Sequence, residues 1–359
     1  MPRSPATRKS SSTKVSSLGK VSGMGKVSTK ASGKTSTRAG GAAGAGGRTA
    51  KASSSGARIG SNMSRERSLL ICLAGYAGGA AAAAAACSLT AGWSPVWSAA
   101  LADLAATVVV FGFSVALDNS SMYDPYWSVA PAVIAPWWLA RLGGFVGPTA
   151  ARQAVVLALV LLWAARLTWN WVRRWHGLKD EDWRYADYRK LGPLYWPVSF
   201  LGFHLMPTVL VFVGCLSLVP ALSPSSRTLN ILDLAGLLVT GGAILVEATA
   251  DRQLWAFLAT RKRGQILDTG LWALTRHPNY FGEVAFWWGL WLFALAADPT
   301  RWWTVAGPAA ITALFLGISV PMMDRRMLTR HASYAAHMSR RSAFLPWLPR
   351  PVSRQAGHR

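Results

Sequence analysis

The sequence is short of acid, of charge in general, and of cysteine. Its 359 residues carry 15 Asp+Glu against 38 Lys+Arg, a net of +23, and charged residues make up only 15% of the chain. With 52% hydrophobic residues, 19 Trp and a mean hydropathy of +0.25, this scarcity excludes an ordinary soluble domain, which would expose large apolar patches. Cys72, Cys87 and Cys215 all lie in apolar runs, without Cys-x-x-Cys or His spacing. That excludes a disulfide framework and a zinc site, so packing is their expected role and no metal is expected.

Residues 1–68 lack Phe, Tyr and Trp, and hold fourteen Lys/Arg against Glu66 alone. Such a segment cannot bury enough apolar surface to offset the entropy of ordering, so a disordered basic arm is expected. A hexad recurs in it, starting at Lys14, Lys20 and Lys26, which is low complexity without a core. Placed before an apolar span, the arm is expected to meet anionic lipid headgroups, each basic residue contributing about 1 kcal/mol near the surface. An organelle transit peptide is the rival. With no interleaved aromatics the arm offers counterion release but no base readout, so no specific nucleic-acid partner is expected.

Leu69 to Leu89 is free of charge, long enough as a helix to cross a hydrocarbon core of about 30 Å. Further apolar runs cover 99–117, 127–140, 153–171, 198–219, 231–250, 284–297 and 302–323. The expected fold is therefore an all-α, polytopic transmembrane bundle of seven to eight spans over residues 69–350, with a short tail at 351–359. The run 127–140 holds Pro131 and Pro136, and 284–297 follows a polar motif, so either is open to being tilted, broken or re-entrant. With eight spans, the arm, the 172–197 loop, the 251–283 segment and the C-terminal tail share one face, and all carry a basic excess. That bias puts both termini in the cytoplasm, in the endoplasmic reticulum membrane if the source is eukaryotic. The Trp pairs near span ends read as interface anchors.

Ionisable groups in so apolar a chain are costly, and their clustering is informative. The densest stretch runs from Glu247 through Asp251, Arg252, Arg261, Lys262 and Arg263 to the string Arg276-His277-Pro278-Asn279-Tyr280-Phe281-Gly282-Glu283. Glu247 and Asp251 share a helix face four residues apart, where their mutual repulsion calls for a donor: a ribose or carboxamide group, Arg276, His277, or an ion-pair network with Arg252 and Arg261. Arg261, Arg263 and Arg276 suit phosphate recognition through their forked guanidinium. His277 is suited to orienting Tyr280 or pairing with Glu283.

The segment Gly270 to Glu283 resembles the C-terminal signature of the steroid 5-alpha-reductase family, in particular a branch of poorly characterised membrane proteins. Asp124-Pro125-Tyr126-Trp127, the stretch from Arg166 to Tyr188, and Tyr334 with Phe344-Leu345-Pro346-Trp347 are similar to that branch, so the likeness covers roughly residues 100–350. Isoprenylcysteine carboxyl methyltransferases carry a similar R-H-P-x-Y-x-G stretch. The resemblance implies that the C-terminal half wraps NADPH, with Asp251, Asn279, Tyr280 and Glu283 on the cofactor and Tyr334 at the mouth of the site. Glu247 stands where steroid reductases tend to have Asn; an ionised Glu can only accept hydrogen bonds, so it meets a ribose hydroxyl or is held by a cation.

Hydride delivery to a conjugated bond leaves charge on oxygen, which a buried Tyr or protonated carboxyl would stabilise. The Tyr and Glu pair of the reductases' early spans is not found here; Asp124 with Tyr126 is the candidate acid, and Asp103 is either functional or an interhelical contact. His204 reads as a satisfied interhelical histidine, and the 173–190 segment as a solvated loop or a lid bearing Arg184 and Tyr185. The leading expectation is an integral membrane oxidoreductase reducing a C=C bond of a lipid-like substrate, whether steroid, sterol, polyprenoid or fatty acyl, with NADPH. The alternatives are a membrane methyltransferase using S-adenosylmethionine and a non-catalytic scaffold. Asp251, Asn279 and Glu283 are expected to line one pocket.

Overall fold

The computed structural model describes residues 63–225 and 227–349. The chain divides into two units, Met1–Ser55 and Gly56–Arg359, and everything described belongs to the second. The expected disordered arm lies outside the described residues up to position 62, as does the tail from 351 on. At 63–68 the expectation is corrected. Ser64 caps helix α1 (Arg65–Leu89) by accepting from the Arg67 amide, so the helix takes in Arg65 to Ser68. These residues dock on the chain after another helix: Arg65 Nε donates to the Trp175 carbonyl at 2.9 Å and the Leu178 amide to Ser68 Oγ at 3.2 Å.

The described residues are helical, with a single isolated β-bridge between Thr275 and Ser342. After α1 come α2 (Pro95–Ala116), α3 (Tyr126–Arg141), α4 (Ala150–Arg174), the short α5 (Trp183–Ala186), α6 (Tyr195–Ser199), α7 (Met206–Cys215) and α8 (Leu218–Leu222). The second half holds α9 (Ile231–Thr260), the one-turn α10 (Leu271–Leu274), α11 (Pro278–Ala297), α12 (Ala306–Leu314), α13 (Val320–Arg330) and α14 (Tyr334–Arg340). π-helical segments at Phe200–Leu205 and Phe315–Ser319 join α6 to α7 and α12 to α13.

Among the described residues, seven helical stretches are long and apolar enough to cross a membrane. α3, at 16 residues and about 24 Å, is shorter, yet its contacts reach both ends of the bundle. At its start Asp124 accepts from Tyr185 OH, beyond the end of α4. At its end Trp138 Nε1 donates to the Pro95 carbonyl and Arg141 to that of Ala91, both in the α1–α2 turn. Pro131 and Pro136 sit inside it without ending it. With α3 beside those seven, the described residues run between the two ends of the bundle eight times. One face, called the polar face here, gathers the starts of α1 and α11 and the ends of α2, α4, α9 and α13. The other gathers the starts of α4 and α9 and the end of α11, where Asn230 Nδ2 donates to the Ala296 carbonyl.

Two contacts organise the bundle. On the far face Arg152, fully buried, donates from Nε and Nη2 to the two Asp233 oxygens at 2.6 and 2.8 Å, and to the carbonyls of Arg227 and Thr228. On the polar side α9 and α11 pack closely because glycine permits it: a Cβ on Gly282 would lie 3.0 Å from the Ala243 carbonyl, and one on Gly289 2.8 Å from the Thr240 amide. α11 starts at Pro278 rather than 284, so the motif Asn279 to Glu283 occupies its first two turns.

Breaking a buried pair leaves the surviving charge without compensation, at a cost of about 3–5 kcal/mol. Asp233→Asn should therefore lower the thermal midpoint in detergent markedly more than Asp298→Asn, a substitution of an exposed aspartate at the same face. The topology is tested by cysteine labelling in a chain without its three native cysteines. Arg67→Cys and Arg340→Cys should react with an impermeant maleimide from the same side of sealed vesicles, and Arg301→Cys from the other.

Candidate functional site

Arg166 stands at the centre of the polar face. It and Asn170 lie four apart on α4, opposite Glu247 and Asp251, four apart on α9, so two faces of matched spacing meet. Arg166 Nη2 pairs with Glu247 Oε2, its Nη1 donates to Asp251 Oδ2 at 2.9 Å, and Asn170 Nδ2 donates to the same oxygen at 2.5 Å. Carboxylate repulsion is relieved from α4, not by Arg252, Arg261, Arg276 or His277. Glu247, 2% exposed, keeps Oε1 buried without a partner, and Arg166 Nε is likewise unpartnered.

Glu283 lies within electrostatic reach of Arg166 and is held by three indoles. Its Oε1 accepts from Trp127 Nε1 at 2.8 Å and Trp287 Nε1 at 3.0 Å, and its Oε2 from Trp163 Nε1 at 3.1 Å. The expected pairing of His277 with Glu283 is not formed. Trp169, Trp302 and Trp303 are exposed, whereas Trp138 and Trp287 are buried, which overturns the interface reading for these two.

His277 belongs to a second cluster around Asp324 on α13. Arg276 grips both Asp324 oxygens, at 3.2 and 2.6 Å. His277 Nε2 donates to Oδ1 at 3.1 Å, and Tyr334 OH to the same atom at 2.6 Å. The remaining Arg276 nitrogen donates to the carbonyls of Met338 and Arg341, so four of the five N–H donors of this guanidinium are engaged within the chain. It clamps the C-terminal segment, which also holds on through Arg276 N to Ser342 O, Thr275 Oγ1 to Phe344 O and Trp347 N to Leu274 O.

The two clusters meet through Tyr280, whose ring stacks on His277 at 5.2 Å with planes 9° apart. The Tyr280 hydroxyl and the Asn279 amide, both half-buried, make no hydrogen bond among the described residues. Of the residues expected to share one pocket, Asp251 and Glu283 gather near Arg166, Asn279 stands unpaired at the start of α11, and Tyr334 belongs to the Asp324 cluster. Arg174, exposed at the end of α4, is within electrostatic reach of Asp124, Asp251 and Tyr280.

In the N-terminal half Asp124 and Tyr126 part company. Asp124 Oδ1 accepts from Tyr185 OH at 2.5 Å and from Arg184 at 3.3 Å, and burial pushes its carboxyl up to about 6 against the pull of Arg184. The segment carrying Arg184 is therefore tied down; Arg326 of α13 also lies over the Trp183 ring at 3.8 Å. Tyr126 OH donates to Asp103 Oδ1 at 2.6 Å, its ring stacked on Tyr123 at 4.8 Å, and Asp103 Oδ2 is buried without a partner. Trp127, next along α3, carries the bond to Glu283 that ties this half to the other. His204 is satisfied between helices, its Nδ1 donating to Ser199 O and its Nε2 meeting Ser114 Oγ.

Arg261 and Arg263 lie apart from all of these groups. With Lys262, Gln265, Arg330 and His331 they line a cavity of about 330 Å³ between the C-termini of α9 and α13.

A family model described as "Protein of unknown function (DUF1295)" matches residues 110–340, more than half of the chain. The chain belongs to this family. The matched region holds every residue of the Arg166, Glu283 and Asp324 clusters, and Tyr126, while Asp103 lies before it. The chain is also 24% identical over 265 residues, 67% of its length and 76% of the relative's, to the uncharacterized protein C594.04c of Schizosaccharomyces pombe. No solved structure matches.

Asn170, Asp324, Trp163 and Trp287 were given no site role from the sequence; Asp103 was left open as functional or an interhelical contact, and Trp127 and Arg166 entered only as members of the family-like stretches. Arg166 had a further signal, being a lone cation inside the apolar run 153–171. One further group is testable by titration. His337 on α14 accepts from Arg341 through Nδ1 at 3.3 Å, and burial, then the Arg341 charge, lowers its pKa to about 4. Its neutral form is the folded one, so its contribution to stability is complete above about 6.5 and is lost as pH falls through about 4. Imidazole NMR should place its midpoint near 4, and Arg341→Gln should move it upward.

Proposed function

We propose that the protein is an integral membrane oxidoreductase that uses NADPH to reduce a C=C bond conjugated to an oxygen-bearing group in a lipid-like substrate: a steroid, sterol, polyprenoid or fatty acyl chain. The observation that carries this reading is the buried Tyr126–Asp103 pair, linked through Trp127 to Glu283 of the R-H-P-N-Y-F-G-E string. Its likeness to the steroid 5-alpha-reductase signature supports the same reading. With the Asp103 carboxyl protonated and donating to the Tyr126 oxygen, the Tyr126 O–H would be released to stabilise developing negative charge on a carbonyl oxygen and to supply a proton, which Asp103 would replace. Methyl transfer to a thiolate or carboxylate has no task for such a pair.

The residues of the polar face fit the cofactor. Glu247 Oε1 is an orphaned acceptor suited to a ribose hydroxyl or carboxamide N–H, and Arg166 Nε an orphaned donor beside it. Asn279 and Tyr280 present unused polar groups, and Arg174 supplies a cation on the open side, whereas Arg276 is paired with Asp324. When bound, NADPH supplies the hydride. Tyr126 orients the acceptor oxygen, Glu283 and its three indoles fix the first turns of α11, and the apolar walls of α2, α3 and α7 exclude water. The basic excess of the polar face supports its placement in the cytoplasm with both termini, and in the endoplasmic reticulum if the source is eukaryotic. The basic arm would then lie against anionic lipid headgroups.

Fluorescence titration of the full chain in detergent should show NADPH binding that excess S-adenosylmethionine does not displace; displacement would establish the methyltransferase reading instead. With a 4-en-3-one steroid as probe, Tyr126→Phe should lower NADPH oxidation by about a hundredfold while leaving NADPH affinity within about twofold. A chain lacking residues 1–60 should keep its cofactor affinity, whereas a scaffold acting through its arm would lose its only function.

A further inference from the structure

The cavity between α9 and α13 carries more positive charge than the chain compensates. Arg261, Lys262, Arg263 and Arg330 surround it with His331, and among the described residues none of the four cations has a recorded ion-pair partner. The one acid of the adjoining loop, Asp268, is engaged elsewhere, with Arg341 at 3.4 Å. Two helix C-termini face the cavity and together supply about one negative charge in partial charges, against four formal positive ones. About three positive charges remain; the four cations are exposed, so water screens their repulsion, but together they leave the cavity with a net positive field that an anion would complement. His331 adds a second sign. Its Nδ1 is buried and has no hydrogen-bond partner.

The position of the cavity narrows the choice of anion. Arg261 directly follows the last residue of one membrane-crossing stretch, and Arg330 is the last residue of another. Leu258 and Leu328, one turn or less before them, are exposed at 42% and 43%, so apolar surface open to acyl chains leads up to the cations. Gln265 Oε1 caps the Lys262 amide at 2.8 Å, and Gly264 adopts φ +88, which fixes the loop as one wall.

We propose that this cavity is a binding site for the phosphate group of an anionic membrane lipid, separate from the cofactor cleft around Arg166. Arg261, Arg263 and Arg330 hold the phosphate oxygens through paired N–H donors, Lys262 adds a point charge and His331 Nδ1 a further polar contact, while the acyl chains run down past Leu258 and Leu328. This does not depend on the oxidoreductase reading; a chain with another activity would keep the same site.

The test is native mass spectrometry of the full chain in detergent, titrated with dioleoyl phosphatidic acid, dioleoyl phosphatidylcholine, inorganic phosphate and NADPH. Phosphatidic acid should bind in preference to phosphatidylcholine. The triple variant Arg261→Gln/Arg263→Gln/Arg330→Gln should weaken phosphatidic acid binding by at least about tenfold. Arg252→Gln/Arg325→Gln/Arg340→Gln, which removes the same charge from exposed positions outside the cavity, should change it by less than about twofold. Equal losses in the two triples would reduce the effect to diffuse surface charge and overturn the proposal. So would displacement of the lipid by inorganic phosphate at similar concentration, or by NADPH in a way the cavity triple abolishes; the last would return the site to the cofactor. If the cavity triple does not elute as a folded species, Arg330→Gln/His331→Asn replaces it, with the same outcomes deciding.

Discussion

A cation buried among carboxylates inside an apolar bundle governs this architecture. Arg166 meets Glu247 and Asp251 two to four turns before the ends of α4 and α9. With one partner removed, the survivors would be charges in a medium that cannot solvate them. Because the carboxylates belong to α9 and the cation to α4, the pairing fixes the axial register of the two helices. Glycines then let α11 settle against α9, bringing Glu283 to the same neighbourhood. Its three indole donors come from α3, α4 and α11, so the carboxylate is solvated by tryptophan in place of water.

Among the described residues, the halves of the molecule are joined at three polar points. Arg152 and Arg166 of α4 pair with Asp233, Glu247 and Asp251 of α9, and Trp127 links the helix that bears Tyr126 to the helix that bears Glu283. Any movement of the substrate side relative to the motif side must disturb one of these bonds. The Asp324 cluster plays a different part. It holds the end of α13, the start of α11 and the C-terminal segment together, and its arginine spends four of its five donors doing so.

Much of the fold is legible from apolar runs because membrane crossing imposes length and uncharged composition. The boundaries are less so. α9 continues ten residues beyond its apolar run, and α11 begins six residues before its own, since both ends are polar yet helical and no hydropathy pattern marks them. Within the candidate site, the carboxylate spacing of Glu247 and Asp251 reads correctly as one face, but their partner lies 81 residues earlier in sequence and declares itself only as a stray cation. Arg276 shows the opposite limit. Its residue type and position suit phosphate, whereas tertiary contacts with Asp324 and two carbonyls commit it to the C-terminal segment. Asp124 and Tyr126, close in sequence, separate because a turn of 3₁₀ helix and Pro125 direct them towards different helices.

The π-helical segment Phe315–Ser319 has a consequence for how this site is aimed. A π-turn accommodates one residue beyond the α-helical count, and each residue of an α-helix turns the chain by about 100°. Everything downstream is phased by that surplus residue: Asp324 faces Arg276 and His277 only with the insertion in place, while Phe315 at its start packs against Tyr280 and Trp127. Removal of a single residue from this stretch would act as a quarter-turn of a key, leaving the helix intact and the composition almost unchanged while rotating the Asp324 carboxylate out of its lock.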